Sequence, residues 1–317
     1  MVAQNDQAMN QASSPKIKTR QTSKAMQRNS TAVRIRYLLI SLAIVAALIL
    51  YASTFSVPVL RASFIPDDSP SVLRRKFKPL ADYLEKKIGM KIEFRPSSDG
   101  DALVEALNGN KLDMVWIDGF NFIRAKSRSN DQVMPLVQRA EDANTLSVFI
   151  TAHADITRLE DLKGRTFSFG AKFSTSGHLM PLSFLRAAYI DPDTDLKHSF
   201  FSGADDATVA AVVGGKADAG ALNSATWERL VGQGKVDTRV VHVFYTTTGY
   251  NDYSWTVRSD MDMNLRFKLT DAFLALDRNN AQDREILDLQ RASKFIPANA
   301  ENYSVIEAAA RSAGPSP

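Results

Sequence analysis

From Val59 onward the chain alternates short apolar runs with stretches whose apolar residues return at helical spacing. Val59–Ile65 reads as a strand, stopped by Pro66 and the turn-rich Asp67-Asp68-Ser69-Pro70. Leu73, Phe77, Leu80, Leu84 and Ile88 mark a helical face, with Pro79 expected to start a second helical segment and Gly89 to close it. Lys91–Arg95 alternates as a strand, and Ser98 stands where a cap is needed for a helix carrying Leu103, Ala106 and Leu107. Leu112–Ile117 is a third strand, Phe120–Ala125 begins another helix, and Val133–Val137 and Ser147–Ala152 are strands.

The second half keeps the rhythm. Strands are expected at Thr166–Phe169, His198–Phe201, Ala217–Leu222 and Thr238–Phe244, and a connecting strand at Tyr253–Val257. Helices are expected at Thr175–Tyr189, Asp205–Val213, Ala225–Val231, Leu265–Leu276, Arg284–Gln290 and Ser304–Ala310, with a helical turn at Leu159–Leu162. Such alternation predicts an α/β protein with parallel-rich sheets covered by helices, and two series in one chain predict two lobes. Ligands of open α/β sheets bind beyond the carboxyl ends of the strands, so a cleft between the lobes is the expected site. The stretch Phe169–Pro181 falls there. A strand ends at Gly170, and Ser174, Thr175, Ser176 and Gly177 stand at the helix start that follows. Hydroxyls at such a start either cap the helix or, with its free N–H groups, hold an anion.

The N-terminus changes the picture. The chain of 317 residues has a formal charge of +4, but seven basic residues against Asp6 alone give residues 1–36 a net +6, leaving −2 for the remainder. The globular part therefore shows no basic patch and no nucleic-acid signature. Residues 1–36 are expected to be a disordered basic cytoplasmic tail. Residues 37–56 form an uncharged, largely aliphatic run, and about 20 such residues can span a bilayer. Basic residues in front orient the remainder outward. The long basic segment and the lack of a clean small-residue cleavage triplet favour an uncleaved signal anchor over a cleaved signal peptide. That places the rest outside the cytoplasm, tethered to the inner membrane. The chain has no cysteine, so neither a disulfide framework nor a lipidated N-terminal Cys is available.

Signatures of enzymes and metal sites are missing from the sequence. His153, His178, His198 and His242 are widely spaced and have no Cys partners. No G-x-S-x-G elbow, Walker loop or G-x-G-x-x-G occurs, and Asp205-Asp206 is read first as a helix-start pair. No catalytic residue, metal or cofactor is expected.

Several motifs in order carry a family resemblance. Phe77-Lys78-Pro79-Leu80-Ala81-Asp82-Tyr83-Leu84-Glu85-Lys86-Lys87-Ile88-Gly89 is similar to the opening helix of the phosphate/phosphite/phosphonate solute-binding proteins of ABC transporters. Asp101–Leu107, Leu112-Asp113-Met114-Val115-Trp116, Leu159–Gly164, Ser174-Thr175-Ser176-Gly177 with Pro181, Gly215–Gly220 and Asp252–Arg258 follow in the family's order. The resemblance implies a type II periplasmic binding fold: two α/β lobes joined by hinge crossovers and closing on a small oxyanion. On it, residues 57–152 plus 253–317 form lobe 1, and residues 153–252 form lobe 2. Ser174, Thr175 and Ser176 would grip the oxyanion, Trp116 and Phe122 would shape the wall of the first lobe, and Asp205 and Asp252 would tune selectivity. The expected partners are the oxyanion, an ABC permease with its ATPase, and the membrane through the N-terminal helix.

The chain also departs from the family's pattern. Relatives often carry Gly-Pro-x-Ser-Tyr after the Trp of the third strand, where this chain has Asp118-Gly119-Phe120-Asn121-Phe122, without the hydroxyl at Phe122. Asp205 stands where relatives commonly place a His. A carboxylate there would repel a dianion, two unit charges about 4 Å apart repelling by about 4 kcal/mol at an effective dielectric of 20, so Asp205 either accepts from the ligand or points away. Asp252 matches an acid that some relatives use for an amino group, or is a turn residue before a strand. A membrane-anchored subunit signalling to a membrane kinase and a small-molecule enzyme on the same fold are the rival readings.

Overall fold

In the computed structural model the described residues are 34–47, 58–65, 70–95, 97 and 99–314. They fall into two units, one up to Val57 and one from Pro58. In the first, residues 34–47 form helix α1, with Leu38, Leu42 and Val45 exposed. Among the described residues no helix is long and apolar enough to cross a membrane. The span expected over residues 37–56 runs beyond residue 47, and its remainder lies outside the described residues, as do residues 1–33 of the disordered tail expected over residues 1–36; residues 34–36 of that tail belong to α1.

The second unit is built on two sheets. The first contains β1 (Val59–Phe64), β2 (Lys91–Phe94), β3 (Met114–Ile117), β4 (Val133–Arg139), β10 (Ser254–Arg258) and β11 (Phe295–Pro297), in the order β11-β4-β10-β3-β1-β2. The second contains β5 (Ser147–Thr151), β6 (Thr166–Phe169), β7 (His198–Phe201), β8 (Ala219–Asn223) and β9 (His242–Thr246), in the order β7-β6-β8-β5-β9. Each sheet is mixed rather than mainly parallel. β2, β1 and β3 run parallel, but β10 enters antiparallel between β3 and β4, and β5 pairs antiparallel with β8 and β9. Apolar periodicity reveals a strand but not its direction, and these reversals follow from the chain leaving one sheet and returning to it. The same reversals move two expectations. β5, expected in the first lobe, belongs to the second sheet, and the connecting strand expected at Tyr253–Val257 is β10, in the middle of the first.

The segments that cross between the sheets are residues 140–146 and 247–253. They run side by side, with Thr145 N–H donating to Tyr250 O at 2.8 Å and Tyr250 N–H to Thr145 O at 3.0 Å. Asp252 N–H donates to Asp142 O at 2.9 Å. Beside them Arg139 grips the Asp142 carboxylate through two nitrogens, at 2.5 and 2.7 Å.

Helices cover the sheets. On the first lie α2 (Pro70–Ile88), α3 (Gly100–Asn108), α4 (Gly119–Arg128), α8 (Met263–Leu274), α9 (Ala281–Gln290) and α10 (Ser304–Ser312); on the second lie α5 (Met180–Ala187), α6 (Asp205–Val213) and α7 (Ser224–Gly232). Pro79 does not begin a separate helix but sits inside α2. The apolar face of α2 packs on a core where Trp255 of β10 is fully buried among Phe77, Trp116 and Phe273. Asp99 caps α3 by accepting from Ala102 N–H, the role expected of Ser98, which lies outside the described residues. A second core joins α3, α4 and α10 to Leu179 and Met180, so the two lobes share buried contacts beside the crossings.

Candidate functional site

The expected anion loop lies at the end of β6. Ser174 has extended backbone and its hydroxyl accepts from Gly177 N–H at 3.0 Å, the behaviour of a cap. The first turn, Thr175–Leu179, is a widened π turn that leads into α5. Gly170 and Gly177 make it possible: Gly170 N–H donates to Gly177 O at 2.8 Å, and a side chain on either would lie 3.1 Å from the other's Cα. The strand end and the turn therefore touch backbone to backbone.

Opposite this turn is the start of α4. Asp118 caps that helix, its Oδ1 accepting from Asn121 N–H and from Asn121 Nδ2, both at 2.9 Å. The two helix starts meet at Thr175, which is fully buried. Its Oγ1 accepts from Phe120 N–H at 2.9 Å, and its own N–H donates to Asp118 Oδ2 at 3.3 Å. Asn121 Nδ2 also donates to Phe173 O at 3.1 Å, and the Arg124 guanidinium lies 3.8 Å from the centre of the Phe173 ring. Lobe 1 thus grips the loop that precedes Ser174. On the other flank the Ser147 hydroxyl donates to Ser176 O at 2.8 Å and lies 2.7 Å from Tyr250 Oη, tying the turn to the crossing segments.

Of the seven residues singled out in the sequence, five come together. Ser174, Thr175 and Ser176 form the turn. Asp252 is fully buried at the start of α4, where its Oδ1 accepts from Gly119 N–H at 3.2 Å and its Oδ2 has no hydrogen-bond partner among the described residues. Asp205 does not point away. A side chain at Gly177 would lie 3.2 Å from its Oδ1, while its Oδ2 accepts from Asn223 N–H at 3.3 Å. The other two sit further back. Phe122, expected on a cleft wall, is fully buried and packs on Tyr303 with ring centres 4.8 Å apart, because α4 turns that face into the core. Trp116 is stacked on Tyr253 with ring centres 5.6 Å apart, beneath the Arg139 guanidinium.

Sequence reasoning missed Asp118, Asn121, Ser147 and Tyr250. Asp118 had a usable signal, since an Asp just before a helix start reads as a cap. Ser147 and Tyr250 had none, because only the crossing brings them to the turn.

The electrostatics of this region are unusual for an anion site. Two helix starts supply partial positive charge, yet Asp118, Asp205 and Asp252 supply carboxyls. Burial pushes Asp118 and Asp205 up to about 6, and burial with Asp118 nearby pushes Asp252 well above the carboxylate range. A carboxyl raised on folding from 3.8 to about 6 holds its proton more tightly in the native state, so its contribution to stability is full below pH 4 and is lost as pH rises through 6. Raising pH from 5 to 7 is therefore expected to lower the Tm of the wild type more than that of Asp205→Asn, as scanning calorimetry at each pH would read. Equal slopes would show that Asp205 is not desolvated.

Two α/β lobes joined by paired crossings, with a hydroxyl-bearing helix start facing a second helix start, form the architecture of a two-lobed binding protein. Residues 62–303 match the family model for the ABC transporter, phosphonate, periplasmic substrate-binding protein, and the chain belongs to that family. A probable ABC transporter phosphite binding protein, PhnD1, from Prochlorococcus marinus (strain MIT 9301) is 31% identical over 292 residues, covering 86% of this chain and 96% of that protein. The solved structure of PhnD1 from that organism in complex with methylphosphonate has a TM-score of 0.73 at 30% identity, covering 80% of this chain and 98% of that one. A binding protein component of an ABC phosphonate transporter from Pseudomonas aeruginosa shares the fold, with a TM-score of 0.69 at 20% identity over 80% of this chain and 86% of that one. This chain is accordingly an extracytoplasmic substrate-binding component of an ABC importer and not an enzyme.

Proposed function

We propose that the chain binds a small oxyanion of the phosphonate, phosphite or phosphate class between the Ser174–Ser176 turn and the start of α4, and delivers it to its permease. The observation that carries this reading is the convergence of two helix starts on buried Thr175. Helix starts favour anions through oriented N–H groups, without Lys or Arg. Ser174, Thr175 and Ser176 supply the grip in this reading, while Asp205 and Asp252 tune selectivity. Trp116 acts through Tyr253, and Phe122 through the packing of α4. Each lobe carries one helix start, so a ligand bound between them favours the closed form. The lobes correspond to the two sheets, with the paired crossings as hinge.

We further propose that the N-terminal segment tethers the protein to the membrane. The uncharged run at residues 37–56 and the exposed apolar side chains of α1 support this.

Isothermal titration of the full chain with phosphate, phosphite and methylphosphonate tests the binding reading. Binding of at least one is expected, with affinity lowered about tenfold or more in Ser174→Ala, the loss associated with a hydrogen bond to a charged group. No heat with any of the three, and no difference between wild type and variant, would refute it.

A further inference from the structure

The amide that an oxyanion needs at the head of the turn is already in use. Thr175 N–H, the first amide of that turn, donates to Asp118 Oδ2 at 3.3 Å. Asp118 belongs to the other lobe, is almost fully buried, and touches the turn where the two helix starts meet. Its other oxygen is fixed by Asn121, which also holds Phe173 O, so the carboxylate is aimed rather than free to swing. Asp252 lies on the same side, with Oδ1 on Gly119 N–H and a buried Oδ2 without a partner among the described residues. The loop after Trp116 thus places a carboxylate at the start of α4, within reach of the turn of the other lobe.

We propose that Asp118 is a built-in competitor for the oxyanion: its carboxylate occupies the Thr175 amide, and a ligand must displace it to use that amide. The proposal rests on the oxyanion reading of this site and adds a determinant of which ligands enter. A carboxylate accepts one amide through one oxygen, whereas a phosphonate or phosphite presents three oxygens to the two helix starts. A ligand that engages both starts at once outcompetes Asp118, and an anion that reaches only the Thr175 amide does not. Asp118 therefore sets a threshold that rejects carboxylates and other weak anions. Its contact with Thr175 also spans the two lobes.

Asparagine at this position tests the idea cleanly, because it caps helices about as well as aspartate but brings no charge to the Thr175 amide. Methylphosphonate, phosphite and acetate are titrated into the full chain as wild type, Asp118→Asn and Asp118→Ser, the serine variant giving a second residue that caps, with Tm recorded for each. The expected result is that methylphosphonate or phosphite binds about 3- to 10-fold more tightly to the variants than to the wild type, the scale of one ordinary hydrogen bond no longer displaced. Acetate should bind measurably only to the variants. A purely structural cap would give unchanged or weaker binding. Unchanged or weaker binding in a folded variant, beside a wild type that binds, overturns the competitor role and leaves the oxyanion reading standing. Absence of binding in the wild type and both variants overturns the reading and the proposal together. Binding by the variants alone supports the proposal in its strongest form.

Discussion

Truncating Trp255 to alanine is expected to destabilise the protein by about 3–5 kcal/mol, the range for removing a large aromatic from a packed core. The indole is fully buried in the central strand of the first sheet. The Phe77 ring meets it edge-on at 5.9 Å, Trp116 lies 5.5 Å away across the strand pair, and Phe273 closes the far side at 5.8 Å. These contacts join α2, β3 and α8, so the surrounding side chains cannot all relax into one cavity. Chemical denaturation followed by far-UV circular dichroism measures the loss. A change below about 1 kcal/mol would show that the core rearranges around the gap.

A comparable loss is expected for Asp142→Ala, through a different mechanism. The Asp142 carboxylate is buried and paired through both oxygens with Arg139, whose guanidinium lies over Trp116 and Tyr253 at 5.2 and 5.9 Å. Removing one partner of a buried pair costs up to about 3–5 kcal/mol, and here the half-buried guanidinium would lose its counter-charge while staying over the two rings. Replacing both with apolar residues, as in Arg139→Met with Asp142→Leu, should recover most of that loss. A double variant no more stable than Asp142→Ala, by the same denaturation measurement, would indicate that the carboxylate supports the crossing directly.

Much of this architecture is legible in the chain itself. The strands at Thr166–Phe169 and His198–Phe201 and the helix at Asp205–Val213 have the bounds that their apolar runs and turn residues predict. The widened turn after Ser174 is invisible to periodicity, since it depends on two glycines meeting across space. Strand direction is equally hidden, which is why the sheets prove mixed. The Ser174–Ser176 loop is readable because a helix start needs a local cap. Its contact with the start of α4 is not, because Asp118 lies 57 residues away in sequence from Thr175. Phe122 illustrates a further limit: alignment with a family pattern locates a residue along the chain, but α4 decides which way its ring faces.

The position of β10 has a consequence for the order of assembly. The second sheet draws all its strands from one uninterrupted stretch, Ser147–Thr246. The first sheet has its centre filled by residues 254–258, which are made only after that whole stretch. β3 and β4, though close in sequence, are joined only through this late strand, and contacts between distant parts of a chain form slowly. The inserted lobe is therefore free to mature first, while the lobe that begins the unit leaves two strand edges open until the chain returns.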